Sequence, residues 1–123
     1  MDRYVAILIG GGVGSLSRYI IGTLIAARLG SRFPYGTVFI NITGSFLIGF
    51  AMTILTIRTD LNPNWRLLLV VGFLGGYTTF SSYKWETLSL VRDGNGWLGL
   101  LNGLGSLIVG YIAVWLGATA AGR

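Results

Sequence analysis

Residues 72–87, which read GFLGGYTTFSSYKWET, combine a double glycine with four hydroxyl side chains within five positions, a lysine and a glutamate. If a helix breaks at these glycines and threonines, the freed backbone carbonyls suit a hard cation such as Na⁺. The hydroxyl donors suit a small anion, and so do the rings of Phe80 and Tyr83, because the edge of an aromatic ring is positive. Phe80 and Tyr83 are three residues apart and share a helix face. Both chemistries are open at this point.

The GG-TT sequence predicts an interrupted helix. Glycine costs about 1 kcal/mol relative to alanine in a helix, and threonine is β-branched. Inside a membrane a break is tolerated where the backbone lines a cavity or coordinates an ion. Thr79, Ser81, Ser82 and Glu86 continue the polar groups beyond the break. Lys84 and Glu86 are two residues apart, so we expect them on different surfaces.

Two further segments carry polar side chains at helical spacing. Thr37, Asn41 and Ser45 recur every four residues and so lie on one face of a helix. The Asn41 amide has two donors and an acceptor, which can clamp two helices together or bind a ligand. Asn102 and Ser106 repeat the same spacing near the end of the chain.

The composition places these groups in a membrane protein. The chain has 123 residues, 53% hydrophobic and 11% charged, and a mean hydropathy of +0.71. A soluble domain carries roughly twice that charged fraction. Apolar runs of the length that a bilayer requires, about 20 residues, predict four spans at residues 4–27, 36–57, 65–91 and 96–121. The connections are too short for a soluble domain, so we expect one all-α membrane domain of four transmembrane helices with the third broken.

Several functions are excluded or disfavoured. The sequence has no cysteine and no histidine, which removes disulfides, thiol nucleophiles, imidazole bases and ordinary zinc sites. No paired carboxylates remain for an enzyme. The net charge of +5 comes from dispersed arginines, which favours anchors at lipid headgroups over a nucleic-acid surface. Arg18 is either such an anchor or a group inside the membrane. A small multidrug exporter needs a carboxylate in the first span, and that region offers only Asp2.

The loop charges leave the orientation in the membrane open. One side carries Arg3, Arg58, Arg66 and Arg123, and the other carries Arg28, Arg32 and Arg92. This near balance is compatible with one orientation or with copies inserted both ways and paired antiparallel. Pairs of small residues four apart occur in all four spans, which favours close helix packing. A chain this small has little interior of its own, so we expect an oligomer.

Long motifs in the chain resemble those of one family. They are GGGVGSLSRY in the first span, GTVFINITGSFLIG in the second and GFLGGYTTFSSYKWET in the third. The sequence is identified as a member of the Fluc fluoride channels, also called CrcB proteins. The resemblance implies an antiparallel, dual-topology homodimer with two fluoride pathways. It implies passive fluoride export across the plasma membrane, which is the inner membrane in bacteria.

The resemblance also implies roles for individual residues. The backbone carbonyls of Gly75 and Thr78 would hold a structural Na⁺ at the dimer centre. The residues implied to line the pore and bind fluoride are Asn41, Thr37, Phe80, Tyr83, Asn102 and Ser106. A polar track is implied at Thr79, Ser81, Ser82 and Glu86, and Arg18 matches an arginine of the family. The chain departs from the family at Tyr83, where a second phenylalanine is usual.

Overall fold

The computed structural model describes residues 2–122, which form helices joined by short loops and contain no strand. The helices are α1 (Arg3–Leu29), α2 (Tyr35–Ile57), α3 (residues 64–77), α4 (Phe80–Arg92) and α5 (Gly96–Ala121). The all-α class predicted from the sequence is confirmed. Arg123, which entered the count of loop charges, lies outside the described residues.

Three of these helices, α1, α2 and α5, are long and apolar enough to cross a membrane. The remaining segment is divided into α3 and α4, with two extended residues, Thr78 and Thr79, between them. Together α3 and α4 cover the stretch where the sequence predicts a broken third span.

Local sequence explains where the helices begin and end. The Asp2 side chain caps α1 by accepting hydrogen bonds from the backbone N–H groups of Tyr4 at 2.8 Å and Val5 at 3.3 Å. Gly30 ends α1 with φ +81°, and Gly94 has φ +83° in the turn between α4 and α5. Glycine adopts this left-handed conformation without a steric penalty, so both turns can be short.

Two helices contain π-helical stretches, Leu67–Leu74 in α3 and Leu101–Gly105 in α5. A π-helical turn has one residue more than an α-turn and therefore shifts the faces that precede and follow it. Such turns are rare and occur frequently at functional sites. The first lies directly before the break, and the second lies where α5 packs against α4.

Glycine contacts join α1 to α3. A Cβ atom at Gly14 would overlap the carbonyl of Phe73, and one at Gly10 would overlap the carbonyl of Leu68. From the other side, a Cβ at Gly72 would lie 3.0 Å from the Cα of Gly10. The two backbones are therefore in direct contact, as the small residues four apart predict.

The same kind of contact joins α2 to α5. A Cβ at Gly49 would overlap the carbonyl of Val114, and a Cβ at Gly117 would overlap that of Phe46. The chain is thus built from two glycine-packed helix pairs, α1 with α3 and α2 with α5.

The interior of the single chain is small. Its buried apolar residues within the described part of the chain are Ala6, Ile40, Leu74, Tyr77, Leu90 and Ala113. The Tyr77 hydroxyl is hydrogen-bonded to the Thr43 hydroxyl at 2.9 Å. Large apolar side chains are exposed on every long helix. Lipid or a further protein chain must cover this surface, because so much exposed apolar area is not compatible with water.

A matched pair of substitutions tests the contact between α1 and α3. Gly14→Ala places a methyl group against the Phe73 carbonyl, whereas Gly12→Ala meets nothing within 4 Å. We expect Gly14→Ala to destabilise the protein by about 1–3 kcal/mol, the usual cost of overpacking. Thermal denaturation in detergent, followed by size-exclusion chromatography, measures the difference. Equal melting temperatures for the two variants would contradict the close packing.

Candidate functional site

The site is centred on the break between α3 and α4. Thr78 has φ −83° and ψ 154°, and Thr79 has φ −144° and ψ 115°, so both are extended rather than helical. The Thr79 hydroxyl caps α4 by accepting a hydrogen bond from the N–H of Ser82 at 3.2 Å. The break therefore ends one helix and starts the next with a defined cap.

Asn41 of α2 replaces part of the helical hydrogen bonding that the break removes. Its Nδ2 donates to the Thr79 carbonyl at 3.0 Å, and its Oδ1 accepts from the Thr79 N–H at 2.8 Å. In an uninterrupted helix that N–H would donate to the carbonyl of Gly75. Asn41 thus clamps α2 to the break, which is one of the two roles that its sequence position predicts. No second partner for Nδ2 occurs within residues 2–122, so one N–H is left for a ligand.

Arg18 of α1 binds a second group freed by the break. Its Nε donates to the carbonyl of Gly76 at 3.0 Å, a carbonyl that the N–H of Phe80 would otherwise satisfy. A cation at the C-terminal end of α3 is also favourable to the helix dipole. Arg18 is half-buried and contacts the backbone of α3, so it does more than anchor the end of α1.

Two carbonyls at the break keep no donor. The N–H of Thr79 is diverted from Gly75 to Asn41, and the N–H of Ser82 is diverted from Thr78 to the Thr79 hydroxyl. Across the described part of the chain, no residue donates to the carbonyl oxygen of Gly75 or Thr78. Gly75 is exposed on the surface of the single chain. These are neutral oxygen donors of the kind that hard cations prefer.

A cavity of about 300 Å³ lies beside the break, and we call it the ring cavity. It brings together seven of the residues singled out in the sequence, which are Asn41, Ser45, Thr78, Thr79, Phe80, Tyr83 and Ser106. The rings of Phe80 and Tyr83 are 5.9 Å apart between centroids and inclined by 19°. Amide and hydroxyl donors thus share one space with two aromatic rings.

A second cavity, of about 610 Å³, lies on the other side of Thr79, and we call it the charged cleft. Its polar lining includes Arg18, Arg32, Thr37, Thr79, Ser82, Glu86 and Asp93. Thr37 donates to the Glu86 carboxylate at 2.7 Å, which ties α2 to α4. Because Thr79 lines both spaces, the ring cavity and the charged cleft adjoin at the Asn41–Thr79 clamp.

Asn102 and Ser81 are not brought to either cavity. Asn102 is 1% exposed, and its Nδ2 donates to the Thr87 hydroxyl at 2.8 Å. Sequence reasoning assigned it to a pore lining, but in the single chain this buried amide joins α5 to α4. Ser106 Oγ donates to Asn102 Oδ1 at 3.4 Å and also lines the ring cavity. Ser81 is exposed on the outer surface of α4.

The Tyr83 hydroxyl, which distinguishes this chain from the usual family pattern, has a partner on α5. It donates to the carbonyl of Gly103, in the π-helical stretch Leu101–Gly105. The ring of Tyr83 lines the ring cavity, while its hydroxyl joins α4 to α5. The hydroxyl therefore has a structural role, while the ring remains in the wall of the ring cavity.

Sequence reasoning missed two contributors to the site. Gly44 lies under Thr78, where a Cβ would overlap the Thr78 methyl group, so a small residue is required there. Lys84 Nζ lies 3.9 Å from the centroid of the Phe80 ring. The spacing of four between Phe80 and Lys84 is a helical contact signal that was available in the sequence. Lys84 and Glu86 do occupy different surfaces, as predicted.

Membrane-length helices, with one segment interrupted around polar groups that line internal cavities, define a small multi-pass α-helical membrane protein. Within that class the chain belongs to the CrcB-like protein family (Camphor Resistance, CrcB), whose family model matches residues 5–118. The resemblance stated from the sequence motifs is confirmed. The chain is accordingly a multi-pass plasma-membrane protein and not an enzyme.

Individual relatives match this chain over nearly its whole length. A protein of Solibacter usitatus (strain Ellin6076) named "Fluoride-specific ion channel FluC" is 59% identical over 121 residues, which cover 98% of this chain and 99% of that protein. A relative of the same name from Acidobacterium capsulatum is 47% identical over 121 residues, with coverage of 98% and 97%. One from Thermus thermophilus is 44% identical over 122 residues, with coverage of 99% and 97%.

Removing the Tyr83 hydroxyl tests its structural role. Tyr83→Phe deletes the bond to the Gly103 carbonyl and keeps the ring, so we expect a loss of about 1 kcal/mol in stability, as for other hydrogen bonds between membrane helices. Tyr111→Phe is the control, because Tyr111 also lines the ring cavity and its hydroxyl has no hydrogen bond within the described residues. Thermal denaturation in detergent measures both. If the melting temperature of Tyr83→Phe is no lower than that of Tyr111→Phe, the bond between the Tyr83 hydroxyl and the Gly103 carbonyl does not stabilise the protein.

Proposed function

We propose that this protein is a fluoride-selective ion channel that mediates passive fluoride export. The observation that carries the proposal is the ring cavity, in which a free amide donor, hydroxyls and two aromatic rings surround one space in a membrane span. The names of relatives up to 59% identical over almost the whole chain support the same ion.

The chemistry of the ring cavity suits a small, strongly hydrated anion. Such an ion must exchange its water for close donors and still be able to leave, which requires several modest partners rather than one strong one. The second N–H of Asn41, the hydroxyl hydrogen of Thr79 and the positive edges of Phe80 and Tyr83 are partners of this kind. The charged cleft has Arg18 and Arg32 but also Glu86 and Asp93 in its lining, so its formal charges balance and it would offer the ion a polar entrance rather than a net positive field.

The functional unit proposed here is an antiparallel, dual-topology homodimer. The single chain leaves Gly75, Phe80 and Ser81 exposed beside the break, although a broken span should hide such groups from lipid. A second copy that packs on this face would cover them. The nearly even distribution of arginines between the two sides of the membrane supports insertion in both orientations. Each copy would contribute one of the two fluoride pathways.

A structural Na⁺ held between the two copies fits the groups at the break. The Gly75 and Thr78 carbonyls have no donor among the described residues, whereas the neighbouring carbonyls of Gly76 and Thr79 are bonded to Arg18 and Asn41. No cluster of three or more acidic, histidine or cysteine side chains exists within residues 2–122, so backbone oxygens are the available ligands. The ion would supply positive charge at the centre and join the copies, because one chain offers too few oxygens.

Efflux from liposomes tests the channel. The purified protein is reconstituted in vesicles loaded with potassium fluoride, and a K⁺ ionophore removes the opposing voltage. We expect rapid loss of fluoride, measured with a fluoride electrode. Chloride loss from matched vesicles should be slower by about 100-fold or more, because donor arrays discriminate between ions by on the order of a few kcal/mol.

Phe80→Ile is the matched variant for this assay, because it keeps an apolar side chain in the ring cavity and removes the ring edge. Its fluoride flux should fall sharply while the protein still elutes at the wild-type position in size-exclusion chromatography. Chloride loss as fast as fluoride loss, or no loss of either from wild-type vesicles, would refute the proposed function.

Thermal denaturation in different salts tests the Na⁺ site. A cation that binds only the folded dimer raises its stability by mass action, by about 2.7 kcal/mol at 100 times its dissociation constant. We expect the melting temperature to rise with Na⁺ concentration at constant ionic strength, with N-methyl-D-glucamine as the balancing cation. Identical melting curves in the two cations would argue against a stabilising Na⁺.

Accessibility of a C-terminal tag tests the dual topology. In right-side-out and inside-out vesicles, we expect an impermeant reagent to label about half of the tags from either side, because antiparallel copies are equal in number. A fixed-orientation membrane protein with the same tag serves as the control for leakage. Labelling from one side alone would show that all copies have the same orientation in the membrane, and it would refute the dual topology.

A further inference from the structure

Lys84 is the one lysine in the sequence, and it lies in the first half of α4. Its Nζ is 3.9 Å from the centroid of the Phe80 ring, which lies one helical turn closer to the break. Within residues 2–122 the recorded ion pair is Arg58 with Asp60, so no carboxylate there neutralises Lys84. Its neighbour Glu86 faces the charged cleft and accepts a hydrogen bond from Thr37. The Phe80 ring is therefore the partner that the described chain provides for this ammonium group.

The depth of Lys84 makes this contact unusual. The break divides the membrane segment into α3 and α4, two helices of similar length, so it lies near the middle of the segment. Lys84 follows the break by five residues, which is roughly 8 Å along a helix axis. The hydrocarbon half-thickness is about 15 Å. An ammonium group inside this region is costly and is normally retained for function, facing a cavity or the protein interior.

The Lys84 side chain lies toward the break, which is the direction that helix geometry favours for a contact between residues four apart. An anchoring lysine extends its charged end toward the nearer water interface, which for α4 is the end that carries Arg92. The Lys84 ammonium instead lies over Phe80, back toward the break. Lys84 is exposed on the single chain and is not one of the residues that line the ring cavity. The Phe80 ring beneath its ammonium group does line that cavity, so the charge lies one ring away from it.

We propose that Lys84 is a positioning and electrostatic residue of the anion pathway, acting through the Phe80 ring. This inference rests on the proposed function. A cation is attracted to the negative face of an aromatic ring, so the ammonium occupies a Phe80 face and leaves the positive edge for fluoride. Its charge also makes the potential at that edge more favourable to an anion. Because the charge lies over the ring rather than in the ring cavity, it attracts fluoride without binding it directly.

Three variants separate the charge of Lys84 from its bulk. Lys84→Met keeps the length and removes the charge, Lys84→Arg keeps a cation that also stacks on rings, and Arg92→Met removes one positive charge elsewhere on α4. In the liposome assay we expect Lys84→Met to slow fluoride efflux about tenfold, as for the loss of a desolvated cation–π contact. Lys84→Arg should stay within about threefold of wild type, since arginine also makes this contact. Arg92→Met should match wild type.

The presence of a single lysine permits a chemical version of the same test. Amine acetylation removes the charge of Lys84, whereas reductive methylation keeps it, and both reagents otherwise reach only the chain's amino terminus. Acetylated wild-type protein should show the slow efflux of Lys84→Met, and methylated protein should retain the original rate. Acetylated Lys84→Arg reports the effect of modifying the amino terminus alone, and its fluoride efflux rate should equal that of the unmodified variant.

A thermal double-mutant cycle tests whether Lys84 acts through the ring. Lys84→Met should lower the melting temperature in the wild-type background and have a smaller effect in Phe80→Leu, because the ring is then already absent. If the melting-temperature changes of the two substitutions are additive, the proposal is overturned. It is also overturned if Lys84→Met releases fluoride at a rate within about twofold of wild type, or if Lys84→Arg slows fluoride efflux as much as Lys84→Met does. If vesicles with the wild-type protein lose no fluoride, the proposed function fails. The thermal cycle still tests the contact between Lys84 and Phe80 in that case.

Discussion

A broken helix inside a lipid bilayer must find partners for its freed backbone groups, because no water is present to hydrate them. Most features of the site follow from this constraint. Asn41 takes both backbone groups of Thr79, and Arg18 takes the carbonyl of Gly76. α1 and α2 are thereby fixed to the break, which positions the walls of both cavities. The carbonyls that remain, at Gly75 and Thr78, lie where a cation or a second copy of the chain can reach them.

The two glycine-packed helix pairs make this arrangement possible in so short a chain. Direct contact between the backbones of α1 and α3 brings Arg18 close enough to reach the break. On α2, Gly44 allows a close approach to Thr78, so that Asn41 reaches Thr79. The same close packing leaves little apolar interior and much exposed apolar surface. This surface must be covered by lipid or by a further chain, and a second copy is the covering that the proposed function assigns to it.

The polar side chains divide into two structural groups. One group is fully engaged within the chain, namely Asn102 with Thr87 and the Tyr83 hydroxyl with Gly103. These bonds hold α4 against α5 and fix the Tyr83 ring in the wall of the ring cavity. The other group keeps unused donors or positive edges beside that cavity, as Asn41 and Phe80 do. The proposed anion pathway needs the second group to be held rigidly, and the first group supplies that rigidity.

The sequence by itself determined the class of the protein and the main features of its site. Hydrophobic runs of bilayer length, the glycine spacing and the GG-TT stretch depend on local physics, so the helices, their close contacts and the break could all be predicted. The motifs sufficed to identify the family.

Asn41 and Arg18 could be named from the sequence, but each had two possible roles, because the role of a polar side chain depends on what another helix brings within about 3 Å. Only the tertiary structure decided that Asn102 faces Thr87 and that the Tyr83 hydroxyl reaches Gly103. These contacts depend on the rotation and register of packed helices, which π-helical turns and backbone contacts set and which no local pattern encodes.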